Sequence, residues 1–271
     1  MSLIRPNLTC VRPAGRGGMH YLGEMKFLCS VLAASLFGAA VCGQEQVQRW
    51  SVDGLRAQMG EKRVDAIEFL NEKTVHARMR RIGAPREDTA RYDLACVVVG
   101  GRGKFRAGRL AEEVREGTIL YVPKDSIYGY FDIGEPIEVM EWASPGEMRS
   151  MGGGGQVMRP AEPAAAAFTV DGVGRARVAG ENVWNAFVRR PSMVFGLYML
   201  PKSVGGDSAL VHKWDEINLI TRGTGRFQVG RDVMDVRPGD IVYVRKGNAH
   251  YFHSLEADLD ILIFFEMKSM E

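Results

Sequence analysis

The sequence predicts an all-β chain in which one strand-rich fold occurs twice. Three observations carry this expectation. A 24-residue stretch recurs at a fixed offset. Apolar runs of strand length alternate with glycine turns in both halves, and no long helical pattern interrupts them. Chains of many short strands form sandwiches or closed barrels, because closure or double-sheet packing hides their edges.

The repeat is the firmest of the three. Residues 101–124 (GRGKFRAGRLAEEVREGTILYVPK) align without a gap on residues 223–246 (GTGRFQVGRDVMDVRPGDIVYVRK), with 12 identities in 24 positions at an offset of 122. The likeness extends outward. Ser51-Val52-Asp53-Gly54 parallels Thr169-Val170-Asp171-Gly172 at an offset of 118, and Glu138-Val139-Met140 parallels Asp260-Ile261-Leu262. Self-similarity of this kind marks a duplicated unit. The expected domains are residues 50–145 and 168–269. They are joined by a linker, 146–167, whose four consecutive glycines, prolines and alanines suit a flexible connection.

Within the second copy, residues 194–200, 217–221, 226–229, 241–244 and 259–265 are rich in β-branched and aromatic side chains. Each has the length of a strand. Gly223-Thr224-Gly225 reads as a hairpin turn, and Pro238-Gly239-Asp240 as a second turn leading into an apolar strand.

The second copy carries two further spacings. Glu216 is followed by six residues and Gly223, and His212 stands four before it. Gly239, Gly247 and His250 follow at fixed intervals. These resemble the two motifs of the cupin superfamily, G-x5-H-x-H-x(3,4)-E-x6-G and G-x5-P-x-G-x2-H-x3-N. The departures are Leu210 at the first histidine, Arg245 at the proline and Ser254 at the asparagine. The resemblance implies two tandem jelly-roll (double-stranded β-helix) barrels, a bicupin. It also implies a divalent transition metal (iron, manganese, nickel or zinc) held by His212, Glu216 and His250. On an extended strand, His212 and Glu216 would share a face, since their numbers differ by an even count. Two imidazoles and a carboxylate leave coordination positions open for water or substrate. Asn218, Tyr198, Trp214 and Phe252 could border that site, and His253 is expected at the surface.

The first copy serves as a control. At the offset of 122, His212, Glu216 and His250 correspond to Ala90, Leu94 and Tyr128. The glycines and apolar positions persist while all three ligands are gone. The first barrel is therefore expected to hold no metal and to serve structure, or to bind something by other means.

Composition narrows the class of function. Lysine plus arginine (35) nearly balances aspartate plus glutamate (33), for a net charge of +2. That excludes the basic excess of a nucleic-acid binder. Residues 1–43 read as a targeting region. From Met25, Lys26 precedes a 15-residue apolar run, 27–41, and small residues ending at Gly43, the pattern of a secretory signal peptide. The run is shorter than the ~20 residues of a membrane span. The protein is thus expected outside the cytoplasm, periplasmic or extracellular. Cleavage after Gly43 would leave Cys96 as the sole cysteine, a buried apolar residue in LACVVV. The expected partners are a small-molecule ligand and a second chain in a homodimer. Three functions stay open: a metal-dependent enzyme on a small polar substrate such as an organic acid or sugar, a non-catalytic binder of such a molecule, and a structural barrel without metal.

Overall fold

The structure is a computed structural model that describes residues 47–145 and 164–267. The expected targeting region, 1–43, and most of the expected linker, 146–167, lie outside the described residues. The first copy comprises β1 (Val47–Ser51), α1 (Val52–Lys62), β2 (Ala66–Asn71), β3 (His76–Ile82), β4 (Arg86–Thr89), β5 (Leu94–Ala107), β6 (Leu110–Arg115), β7 (Thr118–Val122) and β8 (Ile127–Ala143). The second comprises β9 (Ala166–Thr169), α2 (Val170–Gly174), β10 (Val183–Arg189), β11 (Met193–Leu200), β12 (Leu210–Val211), β13 (Glu216–Arg222), β14 (Gly225–Val229), β15 (Asp232–Val236), β16 (Asp240–Val244), β17 (Ala249–His253) and β18 (Leu259–Glu266). Both copies are antiparallel jelly-roll barrels, as expected.

In the second barrel one sheet runs β1-β16-β13-β18-β11-β10 and the other β12-β17-β14-β15. Residues pointing between them form an apolar interior around Phe227, Val242, Phe252 and Ile261. In the first barrel the long strands β5 and β8 run through both halves, so the same plan appears as one eight-stranded sheet, β2-β3-β8-β5-β7-β9 with β4 paired to β8 and β6 to β5. Its interior is built on Phe105, Leu120, Tyr128, Tyr130 and Val139. A further core joins the barrels, with Leu55, Met79, Trp142, Phe195, Leu197 and Phe264 in one cluster. Trp142 meets Phe195 edge-on at 5.4 Å between centroids, a geometry that favours aromatic pairs.

The structure departs from the sequence reading in three places. First, the strand ahead of each copy belongs to the other copy's sheet. β1 pairs with β16, Trp50 opposite Ile241, and β9 pairs with β7, Phe168 opposite Ile119. The two halves exchange equivalent strands, and β9 takes up the last residues of the expected linker. Second, the SVDG segment starts an 11-residue helix, α1, capped by Ser51 Oγ accepting from the Gly54 amide. Its apolar signal is thin, because only Val52, Leu55 and Met59 are buried and Gly54 and Gly60 dilute its helix propensity. Thr169 caps the shorter α2 in the same way. Third, Gly223-Thr224-Gly225 is no hairpin. β13 pairs with β16 and β18, whereas β14 pairs with β15 and β17, so this segment crosses from one sheet to the other. Gly223 has φ +81°, and a Cβ there would stand 2.0 Å from the Asp258 carbonyl oxygen; both demands require glycine.

Candidate metal centre

The candidate ligands reach one point from three segments and both sheets. Glu216 opens β13, a central strand, opposite Val244 on one side and Phe265 on the other. His250 lies on β17, opposite Leu210 and Val229. His212 follows β12 in a bend and is not on one strand with Glu216. Alternation along a strand therefore does not explain their meeting; the bend at Lys213-Trp214 turns the chain back. The Gly247 amide holds the bend by donating to the His212 carbonyl at 2.8 Å.

One candidate ligand atom from each residue lies within 4.8 Å of the others. His250 Nε2 is 3.1 Å from Glu216 Oε1, and His212 Nε2 is 3.6 Å from Glu216 Oε2. Ligand atoms ~2.1 Å from a shared ion lie roughly 3.0 Å apart at right angles and roughly 3.4 Å apart in a tetrahedron. The observed spacings suit such an ion. His250 Nδ1 is 2.9 Å from the Asn248 carbonyl oxygen. A carbonyl can only accept, so Nδ1 carries a proton, and Nε2 is the nitrogen that donates to Glu216 when the ring is charged and that can hold an ion once its own proton is lost, as orienting partners arrange for ligating histidines. Asn218 Nδ2 donates to Glu216 Oε1 at 2.8 Å, while Oε2 is buried without a hydrogen-bond partner. A buried, unpartnered carboxylate oxygen beside two imidazoles is a costly arrangement that a cation resolves. The donor set therefore fits a divalent transition metal.

The electrostatics agree. Burial would push the Glu216 carboxyl up, but the hydrogen bond and charge of His250, followed by His212 and Asn218, hold it below its ordinary 4.5. Burial also opposes charge on His250, yet the bond and charge of Glu216 raise it above 6.5. His212 falls below 6.5 because burial and repulsion from His250 outweigh Glu216. In the metal-free protein the His250 contribution to stability is full below 6.5 and is lost as pH rises through its raised value. The Glu216 contribution is full above 4.5 and is lost as pH falls through its lowered value.

The three residues line a cavity of about 440 Å³. Its walls are largely apolar: Trp184, Trp214, Phe252, Ile263 and Phe265. Tyr198, Asp207, Asn218 and Arg189 add polar groups. Asp207 Oδ1 accepts from the Phe252 amide at 2.7 Å. Asp207 and Arg189 are the polar lining residues that sequence reasoning missed, along with apolar wall residues such as Trp184, Ile263 and Phe265. Both polar residues lie outside the two motifs, and nothing in their spacing marks them. His253 is half-buried and does not line the cavity.

The first barrel fills the corresponding space. Ala90, Leu94 and Tyr128 are buried at the three ligand positions. Register places Arg80 where Tyr198 stands and Glu141 where Ile263 stands. Arg80 Nη1 donates to Glu141 Oε1 at 2.8 Å and lies 3.3 Å from the Tyr128 hydroxyl, and Nη2 donates to Asp88 at 2.7 Å. A guanidinium stands where the second barrel has its cavity.

A family profile described as Cupin domain matches residues 196–265. An uncharacterized protein of Streptomyces coelicolor is 34% identical over 99 residues, 36% of this chain and 93% of that protein. The fold is similar to a Cupin 2 conserved barrel domain protein from Leptotrichia buccalis, with TM-score 0.57 and 12% identity over 74% of this chain and 88% of that one. It is also similar to a salicylate 1,2-dioxygenase from Pseudaminobacter salicylatoxidans, with TM-score 0.64 and 13% identity over 81% of this chain and 84% of that one. The gentisate adducts of that dioxygenase give a TM-score of 0.62 at 14% identity, covering 81% of each chain. At these identities the structural likeness concerns the fold.

Proposed function

The chain belongs to the cupin superfamily, and on that premise we propose that its carboxy-terminal barrel is a metal-dependent enzyme acting on a small organic acid with an apolar body. The observation that carries this reading is the convergence of His212, Glu216 and His250 on the wall of the 440 Å³ cavity. A divalent metal held there would supply Lewis acidity toward a carbonyl or carboxylate oxygen. The chain's own residues would do the rest. Asn218 donates to Glu216 Oε1, which fixes the carboxylate and leaves Oε2 free to hold an ion. Trp184, Trp214, Phe252 and Phe265 offer aromatic surface and exclude water. Arg189, a lining cation with no carboxylate partner among the described residues, attracts an anion. These walls favour an acid over a sugar, whose hydroxyls would need many more polar partners. The dioxygenase named for salicylate offers a precedent for such chemistry on this fold. The reading includes export, supported by the targeting pattern from Met25, and a homodimer as the working assembly. Among the described residues no helix is long and apolar enough to cross a membrane.

Two results test it. Titrating zinc-loaded protein with benzoate and with glucose, read by tryptophan fluorescence, is expected to show saturable binding of the acid. Arg189→Gln is expected to weaken it about tenfold, the equivalent of ~1.4 kcal/mol. Equal binding of glucose, or an acid affinity untouched by the substitution, would remove the acid reading. Binding that survives a chelator, with no metal-dependent turnover of any acid, would favour a non-catalytic binder.

Metal affinity is also expected to depend on pH. An ion must displace the proton that Glu216 stabilises on His250, so binding strengthens as pH rises through the raised His250 value. The rise in melting temperature caused by zinc should therefore be larger at pH 8 than at pH 6. A rise that shrinks with pH would contradict this assignment of the ligands.

A further inference from the structure

Resting on that metal reading, we infer that the amino-terminal barrel positions the metal site, through a corner at Glu72 and Thr74 that grips two of the ligand-bearing segments of the other barrel. The corner joins β2 to β3. Thr74 Oγ1 donates to Asp215 Oδ2 at 3.2 Å, and Asp215 immediately precedes Glu216. Glu72 Oε1 accepts from Arg245 Nη2 at 2.6 Å, and Arg245 begins the turn that leads to His250.

That turn touches every ligand segment. The Lys246 amide donates to Asp215 Oδ1 at 2.9 Å. The Gly247 amide donates to the His212 carbonyl at 2.8 Å. Asn248 Nδ2 donates to the Arg245 carbonyl at 3.0 Å, and the Asn248 carbonyl accepts from His250 Nδ1 at 2.9 Å. A displacement of Arg245 is thus passed to the orientation of the His250 ring, to the bend carrying His212 and to the start of β13. Altering the groups that orient metal ligands typically costs about 10- to 100-fold in affinity.

The duplication supplies an internal control. At the equivalent junction of the other pair of segments, Ser192 Oγ donates to Asp93, the Lys124 amide donates to Asp93 Oδ1 at 3.0 Å, and Arg190 Nε donates to the Tyr121 hydroxyl at 3.0 Å. Asp93 and Tyr121 occupy the positions of Asp215 and Tyr243, but the residue after Asp93 is Leu94. This junction holds the barrels together by matching contacts and serves no ligand.

The test compares Glu72→Gln, Thr74→Val, Thr74→Ser and Ser192→Ala in the full-length protein. Zinc affinity is measured by competition with a chromophoric chelator, and the visible absorption spectrum is recorded after loading with cobalt(II). Glu72→Gln and Thr74→Val are expected to weaken zinc binding about 10- to 100-fold and to alter the cobalt spectrum. Thr74→Ser, which keeps the hydroxyl, should restore both. Ser192→Ala should lower the melting temperature of the metal-free protein as Thr74→Val does, yet leave zinc affinity unchanged. Unchanged zinc affinity in Glu72→Gln and Thr74→Val would overturn the inference, and so would equal weakening by Ser192→Ala, which would reduce the effect to general packing. A wild-type protein that binds neither zinc nor cobalt would instead overturn the metal reading, and this inference with it.

Discussion

Joint replacement of His212 and His250 by alanine is expected to take the metal content of the purified protein from about one ion per chain to none. Three ligands are the fewest that retain a divalent ion well, and the double variant leaves a single carboxylate. The fold should survive. His212 sits half-buried in a bend outside any strand, and the main-chain bonds of the His212 carbonyl and of β17 do not depend on either ring. Glu216 keeps its bond from Asn218. Elemental analysis of both proteins, with circular dichroism to establish folding, decides the matter. A wild type without metal after reconstitution with iron, manganese, nickel and zinc would leave a ligand-binding or structural barrel as the better account.

Arg80→Met is expected to destabilise the protein by about 3–5 kcal/mol, because breaking a buried ion pair strands its partner. The Arg80 and Glu141 side chains are 5% and 1% exposed. Arg78 also pairs with Glu141, but its side chain is 46% exposed, so solvent screens much of what it offers. The loss corresponds to a fall of order 10 °C in melting temperature for a chain of this size. Arg80→Met combined with Glu141→Leu should recover most of it, since an apolar pair of similar volume needs no compensating charge. Differential scanning calorimetry of the wild type, single and double variants measures both effects. A double variant no better than Arg80→Met would show that the ion pair is not what fills the first barrel.

Much of this architecture was legible in the sequence. The repeat, the glycine turns and the strand lengths are local features, and they carried the two barrels. Glu216 and His250 were legible because their spacing from Gly223, Gly239 and Gly247 is set by the sheet crossings those glycines permit. The exchange of β1 and β9 was not. Equivalent strands with equivalent patterns satisfy either barrel, so no residue tells whether Trp50 faces Ile241 or Ile119. The Arg80–Glu141 pair was hidden for another reason. Its members replace cavity-lining residues and not ligands, so alignment of the ligand positions returned only Ala90, Leu94 and Tyr128. Arg189 and Asp207 were hidden because a cavity wall is assembled from distant segments, each ordinary by itself.

The exchanged strands also bear on ancestry. A single-copy forebear with this strand plan would leave a gap beside its β7-type strand, and the segment that fills it would have to come from a second molecule. Such a forebear completes its sheet as a symmetric pair. Gene fusion then turns a concentration-dependent association into an intramolecular one, with the connecting residues holding the halves at an effective concentration on the order of millimolar. Once tethered, the halves no longer had to be identical. One could give up its histidines and seal its interior with a guanidinium while the other kept the open pocket, a division of labour closed to a protein that must pair with its own copy.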